Sequence, residues 1–180
     1  MTGTPPIAQP TDAASVFLAE SRRQLTEDHL PRVERCVAML SDDELWWRPA
    51  EGNNSVGNLL LHLAGNLRQW VVSGVGGEPD RRTRQAEFDE SGPLSHGQAL
   101  NTLRASVRDA DRVLAAADPD SLLTERRVQG LDVTGLYAIY HAVEHFSMHT
   151  GQIILLTKMR KGDLGFYDLT GGLPRRTWRS

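Results

Sequence analysis

The sequence has little of three features that mark common protein classes. It contains a single cysteine, Cys36, so no disulfide can form within the chain, and we expect a reducing, cytoplasmic location. No hydrophobic run approaches the roughly 18 residues that a membrane span needs. The opening residues MTGTPPIAQP lack the basic start and apolar core of a signal peptide. We therefore expect a protein without membrane contact.

Strong charge and the frequent nucleotide or hydrolase motifs are also missing. The 20 Lys and Arg residues nearly balance the 23 Asp and Glu residues, which gives a net charge of -3 and argues against nucleic-acid binding. The chain has no G-x-G-x-x-G, no Walker loop, no cysteine pair and no G-x-S-x-G elbow. These absences exclude the common nucleotide-binding and serine-hydrolase classes.

What the sequence does contain predicts one helical domain. Its 180 residues, 39% of them hydrophobic, suffice for one core. We expect a flexible tail over residues 1–11 and a single domain over residues 12–180. Helical spacing of apolar residues predicts long helices over residues 12–40, with a kink or break at Pro31, and over residues 56–73, 95–117 and about 134–161, plus a short turn over residues 42–47.

The predicted fold class is therefore all-α, a four-helix bundle. Between helices two and three lies a connection of about twenty residues, 74–94, which is long for a compact domain. It allows a crossover, with helices two and three parallel and an up-down-down-up order. Residues 121–128 fit either a short strand or an extended linker, and the tail after Gly162 is expected to be irregular.

The strongest chemical signal is a stripe of histidines on the fourth helix. His141, His145 and His149 are spaced four residues apart and therefore share one helix face. Neighbouring imidazoles at this spacing can reach one metal ion. The alternative is a solvated polar face. Glu144 lies about 100° around the helix from His145, so it is expected behind a ligand or at the surface rather than on a metal.

Helix two carries a matching polar stripe within an apolar helix. Its members are Asn58, His62, Asn66 and Gln69. Such a row either faces water or lines a polar pocket, because unsatisfied buried polar groups are costly. A single His62 would ordinarily be a hydrogen-bonded core residue. Opposite the helix-four stripe, it instead completes a three-histidine site with open coordination positions, which is typical of catalytic rather than structural metals.

The other reactive or aromatic side chains have simpler interpretations. His29 and His96 show no partner pattern and are expected to be structural or solvated. Cys36 lies at an apolar helical position and is expected to be a buried, inert thiol. The tryptophans are expected to pack in the core or against loops. Arginines in the long connection are expected to be solvated, with an anion-facing lid over the pocket as the alternative; they are Arg81, Arg82 and Arg84.

The segments NSVGNLLLHLAGNLRQW and HAVEHFSMHTGQI together resemble the DinB-like (DinB/YfiT) superfamily of metalloenzymes, in a subgroup with an EHFxxHTGQI motif. The resemblance implies an up-down-down-up four-helix bundle, commonly a homodimer. It also implies a divalent metal held by His62 with the pair His145 and His149. His141 would then lie one turn beyond that pair as a pocket residue. The remaining pocket or supporting residues would be Asn58, Asn66, Gln69, Glu144 and Gln152.

The resemblance further implies a metal-dependent enzyme acting on a small molecule. Zinc, nickel, iron and manganese all suit imidazole ligands. Some relatives resemble thiol-dependent S-transferases and isomerases, which adds a low-molecular-weight thiol as a cofactor, whereas the HTGQ sequence here departs from the HRGQ of many relatives. The alternatives are a metal-dependent hydrolase, a metal-binding stress-response protein without turnover, and a structural dimer module.

Overall fold

The structure, a computed structural model, describes residues 12–92, 94–168 and 175–177. The tail predicted over residues 1–11 lies outside the described residues. Helices dominate the fold, as predicted. Within the described residues, no helix combines the length and apolar character that a membrane crossing requires.

The first helical run is continuous but irregular. It consists of α1 (Ala13–Arg23), a π-helical turn (Gln24–His29) and α2 (Leu30–Ala38). Pro31 occupies the first turn of α2, directly after the π-helical turn. The wider turn directly before it accommodates the proline, so the predicted break at Pro31 takes the form of a change in helix type.

The next elements begin at side-chain caps. The short α3 (Asp42–Leu45) and α4 (Val56–Leu67) both start with a capping box, formed by Ser41 with Glu44 and by Ser55 with Asn58. A second π-helical turn (Arg68–Ser73) extends α4. The predicted helix over residues 56–73 is thus confirmed, with a widened final turn.

The long connection after this helix holds a helix that the sequence did not predict. It contains a short helix, α5 (Arg84–Asp89), that packs against α4. The sequence segment RQAEFD is too short to show helical periodicity, and its contacts with α4 supply the stability that its own length cannot.

The last two long helices match their predicted bounds closely. They are α6 (His96–Ala116), capped by Ser95, and α7 (Gly135–Lys161), capped by Thr134 and ended by Gly162 at a φ of 77°. A 3₁₀ turn (Pro119–Leu123) and a hairpin of β1 (Glu125–Val128) with β2 (Leu131–Thr134) lie between them. The ambiguous segment 121–128 therefore begins in the 3₁₀ turn and ends as strand β1.

The tail that was expected to be irregular forms a small antiparallel pair, β3 (Tyr167–Asp168) with β4 (Arg175–Arg176). The core lies between α2, α4, α6 and α7, which contact one another around side chains that are almost fully buried, including Val33, Leu60, Leu103 and Phe146. The bundle order and the single-domain boundary stay predictions. This packing sets α4 against α7, the two helices that carry the histidine stripes.

Candidate metal centre

Three histidines from α4 and α7 meet between these helices. The Nε2 atom of His145 lies 3.2 Å from Nε2 of His62 and 3.2 Å from Nε2 of His149. One ring nitrogen from each residue lies within 4.8 Å of the others. The cluster is largely shielded from solvent, because His62 is 4% and His149 8% exposed. The structure thus brings together the three residues that the sequence assigns to the metal.

The outer ring nitrogens of two of these histidines have acceptors. Nδ1 of His62 donates to Oε2 of Glu87 at 2.8 Å, and Nδ1 of His149 donates to Oε1 of Gln152 at 2.7 Å. A carboxylate or amide oxygen holds the proton on Nδ1, so the lone pair of Nε2 is directed into the cluster. Supported in this way, His62 and His149 have the tautomer of a metal ligand.

Hydrogen bonds alone cannot satisfy the ring nitrogens of the third histidine, His145. Nδ1 of His145 is buried and has no partner among the described residues. A proton on its Nε2 can bond to only one of the two inward lone pairs, and a proton on Nδ1 leaves three lone pairs facing one another. A divalent cation accepts all three, and three imidazoles are a standard donor set for such ions. The residues present therefore fit a metal.

Burial keeps the imidazoles of His145 and His149 in the neutral form that binds metals. Burial, together with the neighbouring His149 and His62, lowers the pKa of His145 to about 3. Burial also lowers the pKa of His149. A histidine whose pKa lies below its ordinary range is unprotonated near neutral pH, so these ligands need not lose a proton before binding a cation.

A buried ion pair from the long connection supports His62 from behind. Arg82 donates from Nε to Oε1 of Glu87 at 2.7 Å and from Nη2 to Oε2 at 2.8 Å. Burial opposes ionisation of Glu87, but the hydrogen bonds from Arg82 and His62 outweigh it and lower the pKa of this carboxyl. A carboxylate that holds the imidazole makes the ligand nitrogen more basic.

Polar side chains of α4 hold the connection in place. Gln69 accepts from Nη1 of Arg82 at 2.9 Å and donates to Asp80 at 2.7 Å. Asn58 donates to the backbone carbonyls of Glu87 at 2.9 Å and Glu90 at 2.7 Å. The side chains of Asn58 and Gln69 thus position α5 and Arg82, and through them the carboxylate behind His62.

Comparisons with known proteins agree with this fold. The model of a protein family of unknown function, DUF1572, matches residues 12–169. The chain belongs to the DUF1572 family. No curated protein matches this DUF1572 chain.

Solved structures show a similar fold. A DinB-like protein from Bacillus cereus is 18% identical, with 80% of this chain and 90% of that chain covered and a TM-score of 0.62. The DinB-like protein YjoA from Bacillus subtilis is 16% identical, with 80% and 93% covered and a TM-score of 0.61. A conserved protein from Enterococcus faecalis is 18% identical, with 87% and 100% covered and a TM-score of 0.61. The resemblance to DinB-like proteins is thereby confirmed for the fold.

The other residues predicted for the pocket of this DUF1572 protein do not all lie beside the histidine cluster. His141 lies beside the cluster, with its ring centroid 5.5 Å from that of His145 and 4.0 Å from that of Trp70. Asn66 is buried in α4, one turn after His62. Glu144 is exposed, on the side of α7 that His29 borders.

Most residues that were predicted to be structural or solvated have the surroundings that the sequence predicts. Cys36 is buried. His29 is buried and stacked at 5.8 Å on Phe146, and His96 bonds at 2.6 Å to Asp42. Trp70 is buried.

Arg82 departs from its predicted role. Arg81 and Arg84 are exposed as predicted, but the side chain of Arg82 is 4% exposed and paired with Glu87, so the prediction of a solvated Arg82 is wrong. Both residues of this pair lie in a charged segment without periodicity, and sequence reasoning missed Glu87 altogether. One available signal was Gly65, an isolated glycine in an apolar helix, which often marks a close approach.

Proposed function

We propose that this DUF1572 protein binds a divalent metal ion through His62, His145 and His149 and is a metal-dependent enzyme. The observation that carries the proposal is the convergence of three Nε2 atoms, with Nδ1 of two rings already bonded to Glu87 and Gln152. Zinc, nickel, iron and manganese all suit this donor set. A bound ion would lower the pKa of a water or thiol ligand and so supply a nucleophile near neutral pH.

The chain's own residues orient the site and exclude water from it. Glu87 and Gln152 fix two imidazole rings, and Arg82 keeps Glu87 ionised and in place. Phe88 of α5 packs on the ring of His62 with 4.8 Å between ring centroids. These contacts hold the ligands in one arrangement, so little conformational freedom is lost when an ion binds.

A thiol used in the reaction would have to come from a small molecule. Burial raises the pKa of the Cys36 thiol to about 11, so this side chain stays protonated and is a poor nucleophile. In its thiol-dependent form, an S-transferase or isomerase, the proposed activity would therefore take a low-molecular-weight thiol as co-substrate. Metal-dependent hydrolysis is the version that uses water instead.

One observation favours a second candidate, a metal-binding stress-response protein without turnover. The low exposure of His62 and His149, 4% and 8%, limits the access of a substrate from solvent to these two ligands. Such a protein would bind the metal through the same ligands and hold it without catalysis.

The metal proposal is tested by elemental analysis of untagged protein purified without chelator. We expect near-stoichiometric metal in the native protein and its loss in the His62→Ala and His149→Ala variants. His96→Ala is the matched control, because His96 is an exposed histidine of α6 bonded to Asp42. A native protein that retains no metal and binds no added zinc, nickel or manganese would contradict the proposal.

Turnover is tested separately with the metal-loaded protein. Small thiols are offered with a panel of electrophiles, and thiol consumption is followed over time. Sustained consumption that requires the metal and is lost in His145→Ala supports the enzyme. Stoichiometric metal without any turnover, including ester and amide hydrolysis, supports the binding protein instead.

The proposed enzyme would be a cytoplasmic homodimer with an up-down-down-up four-helix bundle and a small-molecule substrate. Light scattering on the purified protein tests the dimer.

A further inference from the structure

A cavity lies on the opposite side of the Arg82–Glu87 pair from His62. It has a volume of about 430 Å³ and is enclosed by α4, α6, α5 and the segment before α5. This volume falls within the roughly 300–1,000 Å³ typical of small-molecule sites. None of the three clustered histidines is among the described residues that line it.

The cavity has a mainly apolar interior and a polar mouth. Leu61, Ala64 and the buried Ser106 line its inner part, and the exposed Arg81 and Thr102 border its opening. An apolar cleft with a few polar groups at defined positions is the usual form of a site for an organic molecule.

The wall between this cavity and the metal centre is the ion pair of Arg82 with Glu87. Both residues line the cavity, while Oε2 of Glu87 accepts from His62 on the opposite side. The pair lies directly against α4, because a Cβ at Gly65 would come within 2.0 Å of Oε1 of Glu87. The Arg82–Glu87 pair therefore separates a molecule in the cavity from the ring of His62. The cavity and the metal centre are separate sites.

One cationic side chain at the cavity has no hydrogen-bond or ion-pair partner among the described residues. Arg82 is paired with Glu87, and Arg68 is paired with Asp109. The carboxylates of Asp80 and Glu90 accept hydrogen bonds from Gln69 and from backbone amides. Among the described charged residues of the lining, Arg81 alone makes no hydrogen bond or ion pair.

We propose that this cavity is a separate binding site for a small, mainly apolar organic anion. Its apolar part would occupy the space beside Ala64 and Ser106, and its acidic group would meet Arg81 at the opening. The proposal concerns a site other than the metal centre and does not depend on metal binding. The two sites share only the Arg82–Glu87 pair, which lines the cavity on one side and bonds to His62 on the other.

Two fluorescent probes of the same ring system test the proposal. The anionic probe is 8-anilinonaphthalene-1-sulfonate, and the neutral one is N-phenyl-1-naphthylamine. Each is titrated into the full-length protein, once with zinc and once with EDTA. We expect saturable binding of one equivalent of both probes, unchanged by EDTA. An exposed arginine favours the anion only modestly, so we expect it to bind roughly two- to fivefold more tightly.

Variants locate the site. Ser106→Phe fills the interior, and Thr102→Phe narrows the opening at an exposed position that folding does not depend on. Each should weaken binding of both probes by about tenfold or more, because the rings lose apolar contacts. Ala115→Phe, on the exposed surface of α6 away from the cavity, is the matched control and should bind like the native protein. Arg81→Glu should remove the preference for the anion while leaving the neutral probe unaffected.

The outcomes separate this proposal from the proposed metal function. Probe binding that survives both phenylalanine variants, with their helical spectra intact, would place the probes elsewhere and overturn the proposal. Loss of binding in EDTA would overturn the separation from the metal centre. Equal affinity of the two probes in both the native and Arg81→Glu proteins would overturn the inference that the ligand carries an acidic group. The results for the phenylalanine and Arg81→Glu variants can be interpreted whether or not the histidines bind metal.

Discussion

Gly65 and Glu87 approach each other so closely that a Cβ at position 65 would lie 2.0 Å from Oε1 of Glu87. The same carboxylate bonds to Nδ1 of His62 through its other oxygen, at 2.8 Å. The absence of a side chain at one position of α4 thus allows the carboxylate to reach a histidine on the preceding turn. The support behind His62 in the candidate metal centre depends on this approach, although Gly65 itself is not one of the clustered residues.

The Gly65→Ala variant should therefore weaken metal binding. The added methyl group displaces the carboxylate, and loss of an outer hydrogen bond to a ligand histidine typically weakens metal binding roughly 10- to 100-fold. Competition with a chromogenic zinc chelator measures the affinity. Gly97→Ala is the control, because a Cβ there meets only one atom, at 3.9 Å. Equal affinities in the two variants would contradict the role of this approach.

Removing one member of the Arg82–Glu87 pair should destabilise the fold more than removing both. The two side chains are 4% and 10% exposed, so either one left alone is a buried, unpaired charge. We expect Glu87→Met to lower the free energy of unfolding by roughly 3 kcal/mol and the double variant with Arg82→Met to recover most of that loss. Urea unfolding of the metal-free proteins measures both.

The exposed pair of Arg127 with Asp132 is the control for this experiment, since its side chains are 66% and 57% exposed. Asp132→Ala should change the free energy of unfolding by at most about 1 kcal/mol. Additive losses in the Arg82 and Glu87 variants would show that the two charges do not depend on each other.

The histidine cluster could be predicted because its signals are local. Spacing by four places His145 and His149 on one helix face, and a polar residue in an apolar helix singles out His62. The caps at Ser55, Ser95 and Thr134 likewise give the helix starts, because each cap bonds within one turn.

The support around the cluster depends on contacts that no local pattern encodes. Glu87 reaches His62 only because α5 folds back on α4, where Asn58 donates to two of its carbonyls, those of Glu87 and Phe88. The burial of Arg82 follows from the same contact. The β1–β2 hairpin was ambiguous in sequence because its strands are only four residues long and their pairing stabilises both.

The free energy of unfolding should decrease as the pH is lowered, partly because of His29. Burial and the adjacent Arg32 lower the pKa of His29 to about 4, from 6.5. The unfolded chain therefore takes up this proton first, so the contribution to stability is complete above about pH 6.5 and is lost as the pH falls towards 4. We expect this loss to reach on the order of 2 kcal/mol. Native protein and His29→Gln are compared by urea unfolding between pH 4 and 8, without metal.

Other buried histidines contribute to acid destabilisation with the same sign, so the difference between the two proteins is the informative quantity. That difference should shrink as the pH falls, because the variant lacks a group that protonates on unfolding. A difference that stays constant across this range would show that His29 does not resist protonation in the folded protein.

Gln152 should control metal affinity without affecting the fold. Its side chain is exposed, and its Oε1 accepts the Nδ1 proton of His149 at 2.7 Å. Gln152→Ala removes the acceptor and should weaken zinc binding by roughly tenfold or more, whereas Gln152→Glu keeps an oxygen there and adds negative charge, which should preserve or strengthen binding. Thermal unfolding without metal should be nearly the same for all three proteins. If both variants bind zinc as tightly as the native protein does, then His149 does not need this acceptor, and the orientation of its ring is set by packing within α7 alone.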